Sequence, residues 1–328
     1  MRREGKYNGS VEFLAQSGSL FATVIVPVLL IVLGGALVQR FHRLDMQTLS
    51  KLQIYLFVPV FLFYYLYTSR LSARDIAGIA GAVLLAKVCL AVPLWALLRR
   101  ADVRRETLAV ALISSAVFNA GNFGIPVAVR AFGAAGAAVQ AVIVMVSNLS
   151  LWGVGYAAMA ALTGRGLKDA VLAYLKLPML YALLLAFGLR ALHVALPEPV
   201  LYGTKLIAEG VIAVALVTLG AQLSLQARWP RWRVVLPVIG LKLLVLPAVT
   251  TGVVVALGLW PWPGAGIIVA SAGPTAVNAM LLTIEQQGDV ELAAECVFWT
   301  TLLSAVTVSV ILALVRLYGG GPPLPASP

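Results

Sequence analysis

The fold turns on the stretch Ser114-Ser115-Ala116-Val117-Phe118-Asn119-Ala120-Gly121-Asn122-Phe123-Gly124-Ile125-Pro126. Residues 119–126 alone hold two Asn, two Gly and one Pro. Pro126 removes a backbone donor and crowds the preceding turn. Gly121 and Gly124 lower the cost of unwinding. Around this stretch the chain is strongly apolar. Of its 328 residues 61% are hydrophobic and only 11% charged, and the mean hydropathy is +0.96. A soluble domain carries about 25% charged residues. Lipid is therefore the main solvent of this chain, and the stretch is a polar interruption at membrane depth. Irregular backbone is tolerated there only when buried in protein or facing a wet cavity.

Working outward, a span needs about 20 apolar residues to cross a hydrocarbon layer about 30 Å thick. That ruler predicts an all-α integral membrane protein of ten transmembrane helices. They fall at roughly 20–39, 52–69, 76–98, 107–130, 135–162, 170–191, 204–226, 233–259, 264–285 and 292–316. Residues 1–19 form an N-terminal segment, and the run after it is too long for a signal peptide and is read as a retained helix. Residues 318–328, rich in Gly and Pro, are expected to be a flexible tail.

The net charge is +11, but the basic residues sit in short connections between apolar runs. This pattern sets topology rather than binding nucleic acid. With the N-terminus outside, thirteen Lys and Arg fall on the cytoplasmic side and nine on the outer side. The excess predicts that both termini are outside. Trp229 and Trp232, within Arg228 to Arg233, read as interfacial anchors.

Landmarks recur at one spacing. Lys51 and Lys205 are 154 residues apart, Lys87 and Lys242 are 155 apart, and so are Gly133 and Gly288. A duplication explains this: a five-helix repeat over 20–162, a short cytoplasmic linker over 163–169, and a second repeat over 170–317. Five is odd, so the second repeat enters the membrane from the opposite side. Inverted repeats are a mark of secondary transporters.

The ninth span carries the same ingredients as the fourth, in Ser271-Ala272-Gly273-Pro274-Thr275-Ala276-Val277-Asn278. Interruptions in corresponding helices of two halves point to a transport site. Half-helix N-termini there favour an anionic group. The candidate substrate-binding residues are Asn119, Gly121, Asn122, Gly124, Pro126, Pro274, Thr275 and Asn278. The competing explanation is packing, with small residues easing helix contact and Asn acting as interhelical glue. Lys87 and Lys242 are electrostatic or coupling candidates, since a mid-span Lys costs about 2.5–3.5 kcal/mol. Each offsets a substrate carboxylate, occupies the place of a coupling cation, or serves as a structural pair. Lys242 lies nearer a helix end and is expected to snorkel. Glu209 is the candidate for proton coupling.

Other polar groups attract simpler readings. Asp75 and Asp169 are expected to cap helices. Glu285, Asp289, Glu291 and Glu295 are expected in solvent, and His42 and His193 at helix ends. Cys89 and Cys296 read as buried hydrophobes. No cofactor or metal is expected. No metalloprotease, serine-hydrolase or phosphate-loop pattern is present, so the chain is not expected to be an enzyme.

The chain resembles the auxin efflux carrier family, in its short bacterial form. The likeness runs from about Val26 to Val315. It includes Val26 to Gly35 with Gln39-Arg40, and Lys51 to Tyr65 with Pro59. Its most specific segment is Asn119 to Pro126 with Phe132-Gly133. Pro274 to Asn278, Gly288-Asp289 and Thr300 to Ser304 complete it. The resemblance implies ten helices in two inverted repeats, with broken helices 4 and 9 crossing near the substrate. It implies an elevator-like movement, a homodimer, an outside N-terminus, and small carboxylates such as malonate as substrates. The expected partners are the lipid bilayer and a small organic anion. The alternative is a sodium- or proton-coupled organic-anion symporter of the bile-acid transporter type.

Overall fold

A computed structural model of the chain describes residues 13, 15–98, 100, 104–163, 177–226, 229–285 and 288–322. Residues 1–12 and 14 of the N-terminal segment lie outside the described residues. So do 164–169 of the linker (with Asp169), the start of the sixth predicted helix at 170–176, and 323–328 of the tail. Among the described residues every regular element is a helix, and the only β pairing is one isolated bridge. The elements in chain order are α1 (Ala15–His42) and α2 (Met46–Tyr67), α3 (Ala73–Leu98), α4 (Arg105–Ala116) and α5 (Ile125–Thr163). They continue with α6 (Pro178–Ala191), α7 (Glu198–Gln226), α8 (Trp232–Ala256), α9 (Gly264–Ser271), α10 (Val277–Glu285) and α11 (Val290–Leu317).

Seven described stretches are long and apolar enough to cross a membrane, and α6 and most of α4 are shorter apolar helices. The fourth and ninth predicted spans are interrupted, so neither counts as one helix. The predicted gap between spans four and five is Gly133, whose φ of 61° and ψ of −146° lie outside helical space within α5. A glycine takes that conformation without a Cβ clash. Side chains that a soluble core would hide are open along the outer faces, such as Leu30, Phe41, Leu97, Leu184 and Val255. Such a girdle suits lipid contact, and the chain is a multi-pass membrane protein.

Proline shapes three of the helices. Pro27, Pro59 and Pro247 each follow a single π-turn, at Phe21–Ile25, Gln53–Phe57 and Leu241–Val245. A proline cannot donate to the carbonyl four residues back, and a π-turn is one local adjustment around that loss. Pro27 thus leaves the carbonyl of Thr23 without its helical donor. Arg130 of α5 supplies one, with Nε 2.9 Å from Thr23 O.

The helices pack mainly as two groups, which meet where α2 packs against α5. α1 packs along α7, and α2 packs against α6 and α7. α3 packs against α5 and α8, α9 against α5 and α8, and α11 against α8, α9 and α10. Arg190 of α6 ties the first group together at one end, donating to Leu66 O, Ser69 Oγ and Leu71 O. The α1–α7 contact is backbone on backbone. A Cβ on Gly220 would overlap the Val32 carbonyl, and one on Gly35 would overlap the Val217 carbonyl. Small residues at such a crossing permit the close approach that drives helix association in lipid.

Several expectations change. Glu295 was expected in solvent but is 4% exposed. It accepts from the Arg231 backbone N–H and from Arg231 Nε, both at 2.9 Å. Asp289 caps α11 through Leu292 N and accepts from Arg231 Nη1 at 2.7 Å. One arginine thereby joins the start of α8 to the start of α11. Periodicity hides this, because the partners are 58 and 64 residues apart in sequence. Cys89 is exposed and Cys296 buried, so only the second fits the expectation of burial. Asp75 does close a helix start, through Ser72, whose hydroxyl in turn accepts from Asp75 N. His42 ends α1 and His193 follows α6 with φ 52°. Trp229 and Trp232 stand open and both pack on Trp299.

Two outcomes follow from this packing. Gly220→Ala should lower the thermal midpoint in detergent by the equivalent of about 1–3 kcal/mol. Gly34→Ala, which meets nothing within 4 Å, should be tolerated. Arg231→Ala should destabilise by about 1–3 kcal/mol, less than a fully buried pair because the guanidinium is half exposed. The hydrogen bond from Arg231 holds the Asp289 carboxyl below its ordinary value of 3.8. Its stabilisation is therefore present above pH 3.8 and lost as pH falls below that value. Unfolding of the two proteins against pH should show their midpoints drawing together in acid.

Candidate functional site

The two interruptions meet. α4 ends at Ala116 and helical structure resumes in the π-turn Ala120–Gly124 that leads into α5. α9 ends at Ser271 and α10 begins at Val277. The stretches between them cross as an antiparallel bridge, Phe118 to Thr275. Asn119 N donates to Pro274 O at 2.7 Å and Ala276 N to Val117 O at 3.2 Å. Thr275 Oγ1 donates to Ser114 O at 2.7 Å, and Thr275 N donates to Thr300 Oγ1 at 3.1 Å. Each break supplies the partners that the other lacks, which meets the demand for paired backbone inside a membrane.

The break lies upstream of Pro126, at 117–119, so the sequence places it a few residues late. Pro126 sits in the second position of α5, where it is compatible with a helix. Asn119 does the local work. Its Oδ1 accepts from Asn122 N at 3.0 Å and caps the resumed helix. Gln140 Nε2 donates to Ala120 O at 2.7 Å. A Cβ on Gly124 would push that amide aside, so a glycine there leaves room for the Gln140 hydrogen bond.

Lys87 and Lys242 both converge on the crossing. Each ammonium lies 5.1 Å from the centroid of the Phe118 ring, within cation–π range. Lys242 is fully buried and donates to Ser271 O at 3.0 Å. It does not snorkel to a helix end as expected. The reason is local: Ser271 is the last residue of α9, and its carbonyl belongs to the negative end of the helix dipole. Lys87 donates to Ser150 Oγ at 2.8 Å and to Ser147 Oγ at 3.4 Å. Glu209 is elsewhere. It is half exposed and pairs along α7 with Lys205 at 3.8 Å.

A cavity of about 130 Å³ opens beside the crossing. Four of the eight expected residues line it: Asn119, Gly121, Asn122 and Asn278. The other four, Gly124, Pro126, Pro274 and Thr275, are buried around the crossing and shape it from behind. Ser147 and Asn148 of α5, Ser50 and Gln53 of α2, and Gln222 of α7 complete the polar lining. No acidic or basic side chain faces the cavity among the described residues. The first residues of both resumed helices, Ala120 and Val277, lie on its wall. A wider hollow of about 610 Å³ adjoins it, sharing Ser50, Gln222 and Val277 and reaching Gln47, Lys51 and Glu291 at the helix ends.

Sequence reasoning missed Phe118, Gln53, Ser147, Asn148 and Gln222. Phe118 lies in the first break as an apolar residue among polar ones, and the other four belong to neither break nor to a repeat-related pair. The available signal was weaker: polar residues isolated within apolar spans of α2, α5 and α7.

The sequence profile of the membrane transport proteins, the auxin efflux carrier family, matches residues 23–312. The chain belongs to this family. A membrane transport protein moves solutes and is not an enzyme. This transporter is also similar to an uncharacterized transporter of Methanothermobacter thermautotrophicus, 28% identical over 302 residues, which are 87% of this chain and 95% of that relative.

The crossing in this transporter depends on Lys242. Lys242→Met should leave Ser271 O unpaired and lower stability by about 1–3 kcal/mol. A detergent thermal melt beside Lys205→Met, whose ammonium is half exposed and whose loss should cost little, checks it.

Proposed function

We propose that this protein is a secondary transporter (a permease) for small organic anions, carboxylates or auxin-like acids, working by elevator-type alternating access. One observation carries the reading: two resumed helices begin on the wall of a single cavity that no carboxylate lines among the described residues, with two lysines behind it. Helix N-termini offer free N–H groups and a positive dipole end. Amide and hydroxyl side chains around them can hold oxygen ligands without competing charge.

In this reading the chain has ten membrane helices in two inverted repeats, 20–162 and 170–317, joined by 163–169. The paired breaks and the crossing at Phe118 and Thr275 support it. The group α1, α2, α6 and α7 is the fixed scaffold, and its backbone-close α1–α7 contact suits that part. The group carrying the crossing moves. Both termini lie outside a cell (inner) membrane, by the count of basic residues. The wider hollow then faces the cytoplasm, and the conformation is inward-open. The working form is a homodimer, an expectation that rests on the family alone.

The competing symporter reading requires a site for a cation among freed carbonyls. Here the ammonium of Lys242 lies on the terminal carbonyl of α9, and Glu209 does not line the cavity. Both facts favour transport without a coupling ion. A thermal-shift panel of mono- and dicarboxylates and indole acids should identify a stabilising acid by mass action. Its uptake into proteoliposomes should be indifferent to imposed sodium and proton gradients, and a sodium-dependent rate would restore the symporter. Asn122 lines the cavity, and among the described residues no side-chain hydrogen bond holds it. Asn122→Ala should keep the thermal midpoint yet cut uptake about tenfold, the size of one charge-assisted hydrogen bond. Uptake at the parent rate would refute this placement of the site.

A further inference from the structure

The α7 side of the cavity is polar too, and two of its glutamines, Gln222 and Gln226, each hold a buried oxygen without a partner; only Gln222 also lines the cavity beside the crossing. Thr218, Gln222 and Gln226 lie four residues apart and share one face of α7. Thr218 is satisfied: its hydroxyl accepts from Gln53 Nε2 at 2.6 Å and donates to Val214 O at 2.7 Å. Gln222, one turn on, is not. Its Oε1 is buried without a hydrogen-bond partner, and it lines both the cavity and the wider hollow. Asn119 lines the same cavity and is 6% exposed, and its Nδ2 is also buried without a partner. The orientation of that amide is fixed, because Oδ1 already accepts from Asn122 N. Buried amide atoms are nearly always paired in a protein at rest. Two unpaired ones on residues that line the same cavity are best explained by a ligand that pairs them.

We propose that Gln222 and Asn119 form a specificity clamp for a neutral hydroxyl or ring N–H carried by the transported anion. This rests on the anion reading above and deepens it. The carboxylate lies at the helix N-termini. The neutral group donates to Gln222 Oε1, and Asn119 Nδ2 donates to an oxygen of the ligand, which is a carboxylate oxygen where the neutral group is a ring N–H. The preferred substrate is therefore an acid with a hydrogen-bond donor set apart from its carboxylate, rather than a plain acid of equal size. A site built to hydrogen-bond a group discriminates strongly against the analogue that lacks it, since its own polar atoms are then stranded. The clamp also spans both helix groups, with Gln222 on α7 and Asn119 at the break, so a correct ligand joins them.

The test uses two pairs of acids matched in size: malate with succinate, and indole-3-acetate with 1-naphthaleneacetate. Binding to the full detergent-solubilised chain is measured by calorimetry. The parent protein should favour the donor-bearing member of at least one pair by about 10-fold. Gln222→Leu should erase that preference, weakening the donor-bearing member about 10-fold more than its partner. It should not lower the thermal midpoint of the ligand-free protein, because it removes an unpaired polar atom. The proposal is overturned if neither pair is discriminated, if Gln222→Leu keeps the preference, or if the variant weakens both members equally. Should none of the four acids bind the parent, the anion reading itself fails and the clamp fails with it.

Discussion

A backbone group at membrane depth must find its partner inside the protein, and much of this molecule is arranged around that demand. Two helices are broken where lipid offers nothing to replace the lost bonds. The solution is reciprocal. Val117 and Asn119 pair with Ala276 and Pro274, the Thr275 hydroxyl reaches Ser114, and Thr300 reaches Thr275. Lys242 closes the carbonyl end of α9 and Gln140 holds Ala120. The cavity lies where this network leaves amides and hydroxyls over.

The broad architecture was legible because lipid imposes a simple rule on sequence. Long apolar runs have to be helices, and Asn119 to Pro126 could not be a plain one. The second break at Pro274 was legible for the same reason, and spacing paired it with the first. Gly133 was visible as a boundary, and its backbone angles explain why. Finer placement was not legible. Pro126 drew attention to the wrong end of the break, because a proline is tolerated in the first turn of a resumed helix. Lys242 looked like a snorkelling residue because linear distance to a helix end says nothing of what lies beside it.

The polar residues of α2 and α7 around the cavity were the larger omission. Gln53 and Gln222 lie in different, largely apolar helices, 169 positions apart. Nothing in a linear pattern brings α2 and α7 together, while the tight packing of α7 on α1 and α2 does so in space. Glu295 shows the same limit. It shares a short acidic stretch with Asp289 and Glu291, yet Arg231 draws it inside.

Pro27 has an effect beyond its own helix. It permanently deprives Thr23 of a donor, and Arg130, on the other group of helices, fills the gap. Any rearrangement that slides α5 along α1 must strand that carbonyl or hand it to water. A single proline in the first helix thus leaves a carbonyl that a cation on a distant helix takes up.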